Sequence, residues 1–388
     1  MPLTRRWRVS AAWRDERSVT SGGMHLAIEA TKLLGERRGI GRYVRNLLRQ
    51  FVQQQPSMRF TMYMARPDDA ASLTALLASW HEQLAARTTV APIDALPDSD
   101  ADLVWYPWNL ITTAARRPMV VSTLDLAPML QLDDQWWRVL KRLKYRRRYE
   151  RTMSKASAIL TISEFSKREI VERLQVDPLR ITVTLLAADD LPLDESQAPL
   201  PEPAAAVTGP FFLTVGGQEG RKNLLTLYEA MTLLHAHGMT VPLVQCGPGM
   251  SPATRALYGA APWLTHVGYV TDERLVALYR RASALVFPSR YEGFGLPVLE
   301  AMRAGGAVIC ADASSLPEVV GNAALRFAWN DAAALAAQMM RLLQEPGLRD
   351  ALIAAGHAQA ARFSWAKTAA ETLSCFDRAA AEGVSRPV

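Results

Sequence analysis

Short runs of Val, Ile, Leu and aromatic residues alternate along this chain with longer segments whose apolar positions recur every three or four residues. The first pattern predicts buried strands and the second predicts amphipathic helices. In the first half, strands are predicted over 25–30, 59–65, 103–106, 119–123, 158–162 and 181–185. Helices are predicted over 42–55, 70–86, 136–154 and 163–174, the last opened by Ser163 as N-cap. Residues 191–210 then carry five prolines, a density no packed element tolerates. The alternation restarts beyond them. Strands are predicted over 211–215, 241–246, 264–267, 284–287 and 307–310, and helices over 223–237, 272–282, 297–304, 332–343, 348–363 and 364–378.

Strand–helix alternation in two blocks predicts an α/β protein of two doubly wound domains. A length of 388 residues also favours two. The expected division is a first domain over 24–190, a linker over 191–210, a second domain over 211–363 and a last amphipathic helix within 364–388. Residues 1–23 hold Arg5, Arg6, Arg8, Arg14 and Arg17 without the apolar stretch of a secretory signal. A transit peptide is compatible with that composition. A disordered or artefactual tail is the preferred expectation, because the strand-like MHLAIEA at 24–30 reads as the natural start.

Composition narrows the class. The chain is 49 % hydrophobic with a formal charge of +6, which suits an anionic small molecule or an anionic membrane face. No nucleic-acid-binding module is recognisable. Cys246, Cys310 and Cys375 are far apart in sequence, so a reducing cytoplasm is the simplest setting. No apolar run approaches the length of about 18 residues needed to span a bilayer. The segment 138–155 carries nine Lys or Arg against Glu150 alone. Lys141, Lys144, Arg148, Arg151 and Lys155 recur at helical spacing after Trp136 and Trp137, so this is either a solvated basic helix or a face for anionic lipid headgroups.

The segment PSRYEGFGLPVLEAM at 288–302 carries the most chemistry. An apolar run over 284–287 leads into a glycine turn and then a helix. Such a turn aims backbone N–H groups and the positive helix end at an anion. Glycine has no Cβ to obstruct the approach. Glu292 falls on the loop and Glu300 about two turns into the helix, where carboxylates can accept hydrogen bonds from sugar or ribose hydroxyls. Arg221 and Lys222 follow a strand end through Gly216 and Gly217, and two cations so placed suit a diphosphate; a solvated basic turn is the plainer reading. Gly39 and Gly41 make a second glycine turn between the first strand and the first helix. Neither an H-E-x-x-H nor a His/Cys cluster is present, so no metal site is predicted.

Seven segments in a fixed order extend these motifs over 24–376: GIGRYVRNLL, DLAP, TISEFSKREI, VGGQEGRKNL, GYVTDERLVALYRRA, the double-glutamate segment and SSLPEVVGNAALRF. Together they resemble the retaining glycosyltransferases of family 4, with the two-domain GT-B fold. In pattern they look like bacterial mannosyl- and rhamnosyltransferases of surface-polysaccharide assembly. The resemblance implies two domains facing a cleft, the first on the acceptor side, and a terminal helix that packs back on the first domain. It implies that Glu292 contacts the transferred sugar and that Glu300 holds the ribose. Gly293, Phe294, Gly295 and Leu296 would supply backbone donors. Arg221 and Lys222, beside Gly216, would grip the diphosphate without a metal or any other cofactor. Gly41 would lie on a loop reaching the donor and acceptor, and Glu318 near the nucleotide or a hinge. A helix-start carboxylate is the alternative for Glu318. Asp125 occupies a position usually preceded by histidine, and here Leu124 stands there instead.

The implied function is transfer of a hexose, with mannose from GDP-mannose as the lead, to a glycan or lipid-linked saccharide. The implied location is the cytoplasm, or the inner face of the membrane as a peripheral protein. Leu124 keeps open a non-catalytic binding protein of the same fold, and a nucleotide-sugar epimerase shares the architecture.

Overall fold

A computed structural model describes residues 23–35, 39–66, 68–130, 138–193, 198–217 and 220–384. The expected tail, apart from Gly23, lies outside the described residues, as do Trp136, Trp137, Gln218 and Glu219.

By packing, the chain divides into two compact units. The first comprises 1–123, 151–160 and 369–388, and the second 124–150 and 161–368. The proline-rich stretch over 191–210 lies within the second unit.

The first sheet contains β1 (His25–Glu29), β2 (Arg59–Met64), β3 (Thr88–Pro92), β4 (Leu103–Tyr106), β5 (Met119–Ser122), β6 (Ala158–Thr161) and β7 (Ile181–Val183). Its order is β3-β2-β1-β4-β5-β6-β7. β4 is buried at every position, which is why its sequence, LVWY, is apolar throughout instead of alternating. Trp105 on β4 donates Nε1 to Ser122 Oγ at 2.8 Å. Its ring packs edge-on against Tyr43 and Phe51. Phe376, from the terminal helix Trp365–Val384, joins the same cluster at 5.8 Å from both Phe51 and Trp105. That helix brings a large aromatic residue into the first unit's core.

The second sheet contains β8 (Phe212–Val215), β9 (Leu243–Cys246), β10 (Leu264–Gly268), β11 (Ala284–Phe287), β12 (Val308–Ala311) and β13 (Leu325–Phe327). Its order is β10-β9-β8-β11-β12-β13, and its neighbouring strands all pair in parallel. The strand order reverses between β8 and β11. In doubly wound sheets, ligands bind at the carboxyl ends of the strands flanking such a reversal. Both site motifs leave from there, Arg221 and Lys222 after β8 and Glu292 after β11.

Several local expectations differ from the structure. The helix predicted over 70–86 breaks into Asp69–Trp80 and Glu82–Ala86. His81 is extended at φ −168° and its side chain caps the second piece by accepting from Gln83 N. Two short strands, β3 and β13, went unpredicted: β3 reads TTVAP, a half-exposed edge strand ending in proline. The short helices Pro252–Tyr258 and Leu316–Val320 were also missed. The helix Leu296–Ala304 starts at Leu296, so Glu300 is its fifth residue, just over one turn in rather than two. Among the described residues, no helix is long and apolar enough to cross a membrane.

Candidate active site

The site grows from two loops of the second unit. Beyond β8, Gly216 adopts φ +140°, an angle L side chains rarely tolerate. The aliphatic stem of Lys222 lies over it, its Cδ 3.6 Å from where a Cβ would stand. Asn223 then enters the helix Leu224–Ala236 in the left-handed region at φ +55°. Its Nδ2 donates to the carbonyls of Pro288 and Trp329 at 3.1 and 2.5 Å. The basic turn after β8 is thereby fastened to the loop after β11.

Glu292 is buried on that second loop, 8 % exposed. Lys222 Nζ donates to its Oε1 at 2.7 Å and Arg221 Nη1 to its Oε2 at 3.1 Å. Burial acts to raise the Glu292 carboxyl, but the two cations outweigh it and hold it below the usual glutamate range. Asp125, from the second unit's 124–150 segment, is half-buried. Burial pushes its carboxyl up; Arg221 and Lys222 oppose the rise and Glu292 adds to it. Glu292 therefore keeps its charge more readily than Asp125.

The glycine turn is fixed from several sides. A Cβ on Gly293 would stand 2.6 Å from the Leu124 carbonyl oxygen and 3.0 Å from Asp125 Cβ. One on Gly295, at φ +103°, would stand 2.6 Å from Leu316 Cδ2. Ser315 Oγ lies 3.0 Å from the Glu292 carbonyl oxygen and 2.8 Å from that of Phe294. Glu292 N donates to Ser314 Oγ. Gly295 then opens the helix Leu296–Ala304, whose first turn has no side-chain cap. The first backbone N–H groups of such a helix suit an anionic ligand.

Not every predicted residue joins this cluster. Glu300 is buried in the helix and accepts a hydrogen bond from Tyr279 Oη at 3.0 Å. The Phe294 ring packs edge-on against Phe363 at 5.9 Å, leaving its backbone as the part available to a ligand. Glu318 accepts from the backbone N–H groups of Glu164 and Phe165 at 3.0 Å each, capping the helix Glu164–Leu174. Burial raises its carboxyl, and those two bonds act the other way. Leu124 is 7 % exposed. Its carbonyl oxygen lies 3.1 Å from Ser166 Oγ, which is also 3.3 Å from the carbonyl of Gly293. Gly41 belongs to the first unit, where it is buried in the first turn of the helix Ile40–Gln54.

Sequence reasoning missed Ser315, Tyr279 and Asn223 as supports of the site. Each sits inside a quoted motif, but only the fold reveals which atoms their side chains reach. Among the described residues, no three His, Cys, Asp or Glu side chains gather as a metal site.

Two doubly wound parallel sheets, one carrying a cationic pair at a glycine turn, define the class of protein. Residues 200–359 match the family described as Glycosyl transferases group 1, so this stretch is a glycosyltransferase group 1 domain. O-antigen chain mannosyltransferase B of Escherichia coli is 36% identical over 239 residues, covering 58% of this chain and 61% of that protein. Serotype-specific mannosyltransferase WbdA of Escherichia coli is 30% identical over 269 residues, covering 66% of this chain and 32% of that protein. The matched stretches span less than two thirds of either relative. Among solved structures, sucrose-phosphate synthase from Thermosynechococcus elongatus superimposes with a TM-score of 0.69 at 17% identity, covering 92% of this chain and all of that one. Anabaena Alr3699/HepE, in complex with UDP and glucose, gives 0.68 at 17% identity, covering 91% of this chain and 99% of that one. At these identities the likeness establishes the fold, GT-B.

Proposed function

We propose that this protein transfers a hexose, mannose from GDP-mannose in the leading case, to a hydroxyl of a glycan or lipid-linked saccharide with retention of anomeric configuration. The observation that carries the reading is the buried Glu292 held by Lys222 and Arg221 on the loop that enters an uncapped helix. The resemblance to bacterial mannosyltransferases supports the choice of sugar.

In this reading the bond from the anomeric carbon to the diphosphate oxygen breaks and the acceptor oxygen bonds to the same face. The acceptor's proton passes to a phosphate oxygen of the departing nucleoside diphosphate. Arg221 and Lys222 neutralise charge as it develops on that leaving group, a contribution of about 3 kcal/mol per contact. Glu292 turns toward the sugar hydroxyls as the diphosphate takes over its cations. Glu300 accepts from the ribose, Asp125 lines the sugar side, and the backbone N–H groups from Gly293 to Leu296 receive phosphate. No metal is required, because Arg221, Lys222 and these N–H groups neutralise the diphosphate.

The test is turnover of GDP-, UDP- and dTDP-sugars by purified protein in EDTA, with and without a lipid-extract acceptor. Acceptor-dependent release of one nucleoside diphosphate, with an axial-to-axial product anomer by NMR, is expected. Binding without turnover under every acceptor would favour the non-catalytic reading that Leu124 suggests. Sugar interconversion without an acceptor would favour an epimerase.

The helix Arg138–Lys155 is a proposed contact with anionic membrane. Leu140 and Leu143 are 74% and 48% exposed among its cations, a mixture suited to a headgroup layer. Co-sedimentation with anionic vesicles, lost on replacing Lys141, Lys144 and Arg148 by alanine, is the expected result; equal sedimentation with neutral vesicles would remove the proposal.

A further inference from the structure

The first unit holds a cavity of about 500 Å³, within the ordinary small-molecule range of about 300–1,000 Å³. It lies between the helices Ile40–Gln54 and Asp69–Trp80. Gly41 and Arg45 line it from the first helix, one turn apart, and Ser72, Leu76 and Trp80 from the second, again at turn spacing. Leu33, just past the end of β1, closes it from within.

The second helix has two apolar stripes. Leu73 and Leu77 are fully buried in the core. Leu76 and Trp80, on the neighbouring face, are only half-buried and line the cavity. Trp105, Trp108 and Trp365 each donate Nε1 to a protein oxygen. Among the described residues, Trp80 makes no such bond and no ring contact. A partly accessible indole with an unspent donor, beside a guanidinium and a hydroxyl, matches an amphipathic ligand. A sugar ring has an apolar C–H face for the indole and a rim of hydroxyls for Arg45, Ser72 and Trp80 Nε1. A prenyl chain would instead cover the Trp80 Nε1 donor without returning a hydrogen bond, which is costly.

We propose that this cavity is a saccharide subsite, in which a ring of the acceptor glycan stacks on Trp80 and is held by Arg45 and Ser72. The proposal rests on the transferase reading above, and its test separates the two. Binding of α-linked mannose di- and trisaccharides, without donor, is measured by calorimetry for the wild type, Trp80→Ala and Trp80→Phe. Circular dichroism verifies folding of each. Trp80→Ala should weaken binding about tenfold, the loss of one stacking contact, and Trp80→Phe should recover most of it. In the transfer assay, the acceptor KM should rise by the same factor, with kcat, donor KM and acceptor-independent donor hydrolysis unchanged. Saccharide binding that Trp80→Ala weakens, in a protein without transfer activity, would sustain the subsite and refute the transferase. No saccharide binding by the wild type, equal binding by Trp80→Ala, or equal affinity for a prenyl phosphate without sugar would overturn the subsite, whatever the transfer assay shows.

Discussion

Each unit opens a helix through a glycine turn, Gly39 and Gly41 in the first and Gly293 and Gly295 in the second, and the two turns need glycine for different reasons. Gly39 adopts φ +55°, yet a Cβ there would meet nothing within 4 Å. Its constraint is a backbone angle. Gly293 has a backbone angle open to any residue, but the Leu124 carbonyl and Asp125 occupy the space a Cβ would need. Its constraint is packing. The same letter in the same pattern therefore marks a bent entry in one unit and a wedged loop in the other. The wedged loop is the one that carries the buried carboxylate.

That contrast orders the predictions. Gly293→Ala should have the largest effect on stability, about 3 kcal/mol, because a backbone carbonyl must move. Thermal unfolding measures it; a loss under about 1 kcal/mol would mean the loop relaxes freely and the contrast fails.

Glu292→Gln should come next, at about 2 kcal/mol at neutral pH, since it takes a charged acceptor from two cations. Its pH dependence has a definite sign. A carboxyl held below its ordinary value of 4.5 adds stability that is complete above that value and disappears as pH falls through the folded-state pKa. The gap between wild type and Glu292→Gln should thus narrow on acidification below about pH 4.5. A gap that widens on acidification would show that the cations do not hold the carboxylate.

Gly39→Ala should cost about 1–2 kcal/mol, from φ alone. A loss equal to that of Gly293→Ala would erase the distinction between the turns. Ser315→Ala should be smallest, about 1 kcal/mol, the worth of a buried hydroxyl bond. It should also lower donor affinity, because Ser315 steadies the carbonyls on either side of Gly293.

Much of this was legible in the sequence. β11 and β4 were predicted with their exact bounds because both are short, unbroken apolar runs beside a turn residue. The Ser163 cap was legible because its role is local, and Ser163 Oγ indeed accepts from Ser166 N at 2.9 Å. β3 was not legible. Its TTVAP pattern is weakly apolar, and pairing with β2 makes it a strand. The apolar spacing that predicts one helix over 70–86 continues past His81, whose capping bond divides it and is invisible to periodicity. In the site, Lys222 and Glu292 were each marked by a motif, but no spacing says that residues 70 apart share a hydrogen bond. Glu318 was marked for the same reason as Glu292, and its carboxylate instead caps a helix more than 150 residues earlier. A carboxylate in a motif has no address until the fold supplies its donors.

The central claim is that Lys222 and Arg221 exchange Glu292 for a sugar diphosphate. The most direct measurement is acceptor-dependent nucleoside diphosphate release by wild type and Lys222→Ala at saturating donor, with folding verified by circular dichroism. The account predicts that a folded Lys222→Ala loses about 10²–10³ in kcat. A folded Lys222→Ala that turns over like wild type would contradict it.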